Sequence, residues 1–260
     1  MAVIQFSHAN GFPAKSYSYL FELLSPHQVF FVEKMGHGNF PLNKDLNNFA
    51  DELIEDIEKK QNLPVIGVGH STGGVVTLLA AVKRRDVFSK IILIDPVLFS
   101  SQKRFGIWLL QKLGLGDFLG STRKAMKRRT HFSTLEEATQ YFQSKPLFRN
   151  FHPRSFQGYI DHGIISSQNG LELSFSAKVE ADIFRYTQIF IPHESFNLSG
   201  TLIYGDKSSI FWPSDVKWWK KKFLRFQLIS FPGGHLFPFE EPEATAKLIN
   251  KLIQSDKLVS

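Results

Sequence analysis

Residues 65–83 read Val-Ile-Gly-Val-Gly-His-Ser-Thr-Gly-Gly-Val-Val-Thr-Leu-Leu-Ala-Ala-Val-Lys. The stretch opens on a short apolar run without polar alternation, as expected of a strand buried on both faces. It closes on small and apolar residues that end in Lys83, Arg84 and Arg85, which suits a helix C-terminus. Between the two lies Gly69-His70-Ser71-Thr72-Gly73, followed by Gly74. A Gly-x-Ser-x-Gly turn between strand and helix holds its serine on a tight bend and pushes the hydroxyl outward. The following helix N-terminus presents N–H groups and partial positive charge to a developing oxyanion. Ser71 is the candidate nucleophile, and the Thr72 N–H is a candidate oxyanion donor.

Outward from this stretch, short apolar runs recur at Val3–Ser7, Gln28–Val32, Ile91–Ile94, Leu202–Tyr204 and Phe226–Phe231. Helical patterns lie at Pro13–Leu24, at Leu46–Lys60 with Leu46, Phe49, Leu53, Ile54 and Ile57 on one face, and at Glu243–Ile253. Such alternation predicts an α/β protein with a doubly wound, mostly parallel sheet. The pattern breaks between Ile94 and Leu202, where helical pieces such as Gly106–Leu113 and Leu135–Phe142 appear. The expected organisation is a core of residues 1–98 and 196–260, with residues 99–195 inserted as a helical cap. No internal repeat or low-complexity tract is found.

A serine hydroxyl needs a base. His235 lies in Phe231-Pro-Gly-Gly-His-Leu-Phe-Pro, between the last strand and the last helix, at the sheet edge where open α/β sheets bind ligands. The base in turn needs an acid to hold its tautomer. Asp206 ends Thr201-Leu-Ile-Tyr-Gly-Asp and gives the chain order Ser, Asp, His, so it is favoured. Its rival is Asp95, which ends Ile91-Ile-Leu-Ile-Asp one strand earlier, a position that would also suit a turn into the insertion. The loop Ser7-His8-Ala9-Asn10-Gly11-Phe12-Pro13 follows the first strand and offers a second oxyanion donor, with Asn10 N–H preferred to Phe12 N–H. His8 reads as a structural residue of that loop.

Taken together, His8-Ala-Asn-Gly-Phe-Pro, Gly69-His-Ser-Thr-Gly-Gly, Tyr204-Gly-Asp206 and Gly233-Gly-His235 resemble the α/β-hydrolase superfamily, in particular its capped serine esterase and lipase-like members. The resemblance covers nearly the whole chain. It implies an eight-stranded sheet in the full fold, a lid over a Ser–His–Asp site and no cofactor. Relative to that pattern the chain begins at the third strand, and His8-Ala stands in place of the commoner His-Gly. A serine at position 71 also argues against the branches whose nucleophile is a carboxylate, the epoxide hydrolases and haloalkane dehalogenases. The expected reaction is hydrolysis of an ester through an acyl-enzyme. A lactone, thioester or amide would use the same groups, and a non-catalytic ligand receptor is the alternative from another class.

The bulk properties narrow the partners. There is no cysteine, which excludes disulfides and thiolate chemistry, and 43% of the 260 residues are hydrophobic, enough for a sizeable core. The 26 phenylalanines must fill that core or line a pocket. Without a leader-like N-terminus or a long apolar run, a soluble cytoplasmic protein is expected. The net charge of +7 is concentrated: residues 99–154 hold eleven Lys or Arg against Asp117, Glu136 and Glu137, a balance of +8. The clusters Arg123-Lys124 and Lys127-Arg128-Arg129 suit an anionic substrate or an acidic surface, or a merely solvated lid face. The segment Arg104–Leu119 is amphipathic enough to close over an acyl chain or rest on lipid. No nucleic-acid module is recognised. His131, His152, His162 and the adjacent His193-Glu194 lack metal-ligand spacing. Trp212, Trp218 and Trp219 read as helix packing.

Overall fold

Six apolar runs become the six strands of one parallel sheet. They are β1 (Val3–Ser7), β2 (Gln28–Phe31), β3 (Val65–His70), β4 (Phe88–Ile94) and, after the insertion, two more. The computed structural model describes residues 1–60, 64–118, 120–168 and 170–255. Within the insertion lie β5 (His131–Phe132), β6 (Ile164–Ser167) and β7 (Gly170–Leu173), and the core sheet resumes with β8 (Gly200–Gly205) and β9 (Phe226–Phe231). The order across the core sheet is β2-β1-β3-β4-β8-β9, all parallel. All six residues of β3 are buried, as its unbroken apolar sequence requires.

Successive side chains of a strand point to opposite faces, and the packing follows that period. Ile92 and Ile94 join one buried cluster with Phe6, Val68 and Ile203. Ile91 and Leu93 join the other with Val65, Leu202 and Phe226. The helices are α1 (Ser18–Leu23), α2 (Asn47–Lys60), α3 (Thr72–Lys83), α4 (Ser101–Lys112), α5 (Gly120–Met126) and α6 (Leu135–Gln143). They continue with α7 (Pro153–Gly163), α8 (Ala177–Arg185), α9 (Pro213–Lys222), α10 (Phe237–Glu240) and α11 (Pro242–Gln254). On α2 the buried face is Phe49, Ala50, Leu53, Ile54 and Ile57, the stripe its spacing predicts. Trp218 and Trp219 of α9 are buried as expected, and Trp219 Nε1–H donates to the Leu98 carbonyl at 3.0 Å; Trp212 is exposed.

The segment between β4 and β8 carries α4 to α8, but it is not wholly helical. β5, β7 and β6 form a small antiparallel sheet with β7 in the middle. These strands are only two to four residues long and contain Ser166 and Ser167, too short for a periodicity to show. Phe132, Phe142, Phe148 and Tyr159 of this region pack into the same buried cluster as Phe6 and Val68 of the sheet. The insertion therefore shares its core with one face of the sheet. On α4 no residue is buried; Phe105 is 62% exposed, and Leu113, just after the helix, is 61% exposed. The amphipathic segment read from the sequence thus turns much of its apolar face outward; its last residue, Leu119, and the Phe118 side chain lie outside the described residues. Among the described residues no helix is long and apolar enough to cross a membrane.

Candidate active site

Ser71 sits at the turn between β3 and α3 with φ 57° and ψ −118°, a left-handed conformation that a non-glycine residue adopts only when its surroundings impose it. The imposition comes from close packing. A Cβ on Gly73 would meet the Ser7 carbonyl oxygen at 2.1 Å, so only glycine lets α3 start so near β1. The Ser71 N–H donates to the Ile94 carbonyl at 2.9 Å, which pins the bend to the end of the neighbouring strand. Ser71 is buried, at 5% exposure.

His235, in the loop after β9, brings its Nε2 within 2.9 Å of Ser71 Oγ. Its Nδ1 is 2.6 Å from Asp95 Oδ2, and a carboxylate can only accept, so Nδ1 carries the hydrogen and Nε2 is free to receive one from Ser71. Asp206, the acid favoured from chain order, is not that partner. It is exposed, its Oδ1 accepts from Gly233 N–H at 2.9 Å, and its own N–H donates to Phe231 at 2.8 Å. Asp206 ties the end of β8 to the loop carrying His235. Asp95 is fully buried at the end of β4, the strand beside that of Ser71, and also has a left-handed backbone with φ 41°. Its carboxylate accepts from Gly205 N–H at 3.0 Å and Ser208 Oγ–H at 2.7 Å as well as from His235. Three donors compensate the burial of the charge, which an unpaired carboxylate would not survive.

Thr72 opens α3, so its N–H belongs to the first turn, which has no intrahelical acceptor. In the loop after β1, Phe12 N–H donates to the Ala9 carbonyl at 3.2 Å and is occupied. Asn10 N–H has no protein acceptor among the described residues. The Asn10 side chain is fixed by donating from Nδ2 to the Glu180 carbonyl at 2.9 Å. His8 is buried: its Nε2 accepts from Met35 N–H at 2.9 Å while Nδ1 lies 2.9 Å from the Ala9 carbonyl. Burial pushes its pKa down to about 4, so it is a neutral brace of this loop.

Two side chains that sequence reasoning passed over join these parts. Tyr17 Oη accepts from Ala9 N–H at 3.2 Å and donates to His70 Nδ1 at 2.7 Å. His70 Nε2–H then donates to the His235 carbonyl at 2.9 Å. Burial, reinforced by the nearby His235 ring, lowers the His70 pKa to about 3 and keeps the ring neutral, as this donor and acceptor pattern requires. One line of hydrogen bonds thus spans the loop after β1, the serine turn and the histidine loop. Its sequence signal was the histidine inside the Gly-x-Ser-x-Gly motif. Among the described residues no group of three His, Asp or Glu is placed to hold a metal ion.

The model of the alpha/beta hydrolase family matches residues 6–248, nearly the entire chain. The chain belongs to the alpha/beta hydrolase family. Curated relatives in this family include the abhydrolase domain-containing protein AFT2-1 of Alternaria alternata, 24% identical over 238 residues, 76% of this chain and 86% of that protein. The monoglyceride lipase of Rattus norvegicus is 31% identical over 110 residues, 38% of this chain and 36% of the lipase. Among solved structures, E-2-(acetamidomethylene)succinate hydrolase superposes with a TM-score of 0.79 at 18% identity, over 97% of this chain and 91% of that one. That similarity establishes a shared fold. Within this alpha/beta hydrolase the sheet edge brings Ser71, His235 and Asp95 together and leaves Asp206 to hold a turn.

Proposed function

We propose that the chain is a serine hydrolase that cleaves a carboxylic ester by acyl transfer, with residues 99–195 acting as its cap. The hydrogen-bonded line Asp95–His235–Ser71, at 2.6 and 2.9 Å, carries this reading. Ser71 Oγ attacks the ester carbonyl carbon as His235 Nε2 takes its proton. Asp95 keeps Nδ1 protonated and stabilises the imidazolium that forms. The Thr72 and Asn10 N–H groups receive the oxyanion, one from the helix start and one from the loop after β1. His235 then protonates the departing alkoxide, and the alcohol leaves. Water attacks the acyl-serine by the same route, releasing the acid and restoring Ser71. The preference for an ester draws on the monoglyceride lipase among the relatives.

A fluorophosphonate probe tests the nucleophile directly. Ser71 is expected to be labelled in the wild type, and Ser71→Ala to lose labelling together with p-nitrophenyl ester hydrolysis. An unlabelled wild-type protein with no hydrolysis of esters or thioesters of any length would remove the proposal.

A further inference from the structure

On the flank of the insertion, α5, the turn after it and the start of the segment following α6 enclose a groove of about 540 Å3, a volume typical of small-molecule sites. Neither Ser71 nor His235 lines it. Its rim carries Arg123, Lys124, Lys127, Arg128 and Lys145. Its floor is Tyr141, Phe142, Leu147 and Phe148; Phe142 and Phe148 are buried, whereas Leu147 is 44% exposed. Several of these cations are already engaged by protein groups. Arg128 pairs with Glu180 at 2.8 Å, and Lys145 Nζ lies 3.8 Å from the centre of the Tyr141 ring. Lys124 and Lys127 have no carboxylate partner among the described residues. Lys124 and Lys127 lie one helical turn apart at the edge of an apolar trough and repel each other, and an anion seated there relieves that repulsion.

We infer that this groove binds a single-chain anionic amphiphile, with its phosphate, sulfate or carboxylate on the Lys124–Lys127 rim and its alkyl chain along Leu147 and the aromatic floor. Each half of the lining selects one half of the ligand. An inorganic anion would leave the aromatic floor wet, and an uncharged chain would leave the lysines uncompensated. The groove also adjoins the catalytic machinery through two contacts. Phe148 packs against Phe12 of the loop after β1, with ring centres 6.3 Å apart. The partner of Arg128, Glu180, has its carboxylate against Gly11 in that same loop, where a Cβ would lie 2.8 Å from Oε1. Gly11 has φ +80° and no side chain, which is what lets the buried carboxylate approach. The ligand is therefore held next to the loop proposed to supply an oxyanion donor, without occupying the reacting position.

The site does not depend on the hydrolase reading, and binding is measured on Ser71→Ala protein, in which turnover cannot consume a ligand. Isothermal titration with monomeric dodecyl phosphate should give saturable one-to-one binding at low salt. Dodecyl maltoside and inorganic phosphate should each bind at least about tenfold more weakly. Lys124→Gln/Lys127→Gln, added to Ser71→Ala, should lower dodecyl phosphate affinity by about tenfold or more, and Leu147→Asn by several-fold. In the wild-type background the double substitution should leave hydrolysis of a neutral short-chain p-nitrophenyl ester unchanged, which verifies that the variant is folded. Equal affinity of the lysine variant, an absence of saturable binding, or binding only to anionic phospholipid vesicles and not to monomer would each overturn the inference; the last would assign the patch to a membrane surface.

Discussion

In the parallel sheet, Ile92, Leu93 and Ile94 lie on adjacent positions of β4 and all three are fully buried. In α4 of the insertion no residue is buried, and Phe105 on it and Leu113 just after it stand more than half exposed. Both segments are apolar by composition, yet they face different demands. A central parallel strand is covered by helices on both sides, so each of its side chains is held by close packing and the residue at its end is placed by the strand. A helix lying across the outside of an insertion is covered on one side at most. The sheet consequently holds the hydrogen-bonded line Asp95–His235–Ser71, and the insertion carries exposed apolar and cationic surface.

This contrast can be broken most sharply at the ends of the strands. Ser71→Ala should reduce kcat/KM for ester hydrolysis by about 10,000-fold or more, leaving the residual rate that binding and oxyanion stabilisation supply. Retention of a tenth of the activity would mean that another group attacks. Next in size is stability. Ile92→Ala removes a fully buried side chain from one face of the sheet and should cost about 2–5 kcal/mol in urea unfolding. Leu113→Ala, on the exposed face of the insertion, should stay within about 0.5 kcal/mol. Similar losses at the two sites would show that α4 is covered in solution.

A smaller effect separates regions by pH. Glu52 accepts from Gly36 N–H at 3.0 Å, and burial, reinforced by Asp56 and Glu55, raises its pKa to about 7. Its folded-state value lies above the unfolded one of about 4.3. The native protein therefore holds a proton that the unfolded chain releases, and stability falls as pH rises between these values. Glu52→Gln should raise Tm at pH 8 by about 2–4 °C, the scale of 1 kcal/mol once solvent screening is discounted, and should do nothing at pH 4. A gain of the same size at both pH values would assign the effect to packing. Another small change is expected at Arg129, which pairs at the surface with Glu137. Arg129→Gln should alter stability by less than about 1 kcal/mol and leave dodecyl phosphate binding intact.

What was readable in the sequence follows the same division. The strands of the sheet, the serine turn and the histidine loop announce themselves, because an apolar run, a glycine-framed bend and a chain order are local patterns. The small antiparallel sheet of the insertion does not, since β5 has two residues and β6 and β7 four each. Chain order favours Asp206 as the acid, whereas His235 Nδ1 is hydrogen-bonded to Asp95, and the difference has a physical reason. Asp95 and Asp206 both end strands on the same edge, and chain order favours the second. The deciding fact is lateral: β4 lies beside β3 in the sheet, and the buried Asp95 carboxylate is met by Gly205 N–H and Ser208 Oγ–H from the far side. Sheet order is a tertiary property that no local pattern carries. The brace from Tyr17 through His70 to the His235 carbonyl is likewise assembled from three distant segments.

The choice between the two aspartates is therefore the most direct measurement of the account. Asp95→Asn and Asp206→Asn should be compared as folded proteins in kcat for the same ester. With the partner of Nδ1 replaced by an amide, Asp95→Asn should lose about 10,000-fold in kcat, because the imidazole can no longer be held in the productive tautomer. Asp206→Asn keeps an acceptor for Gly233 N–H and should remain within about threefold of wild type. A severe loss in Asp206→Asn beside near-normal turnover in Asp95→Asn would contradict the arrangement at its centre.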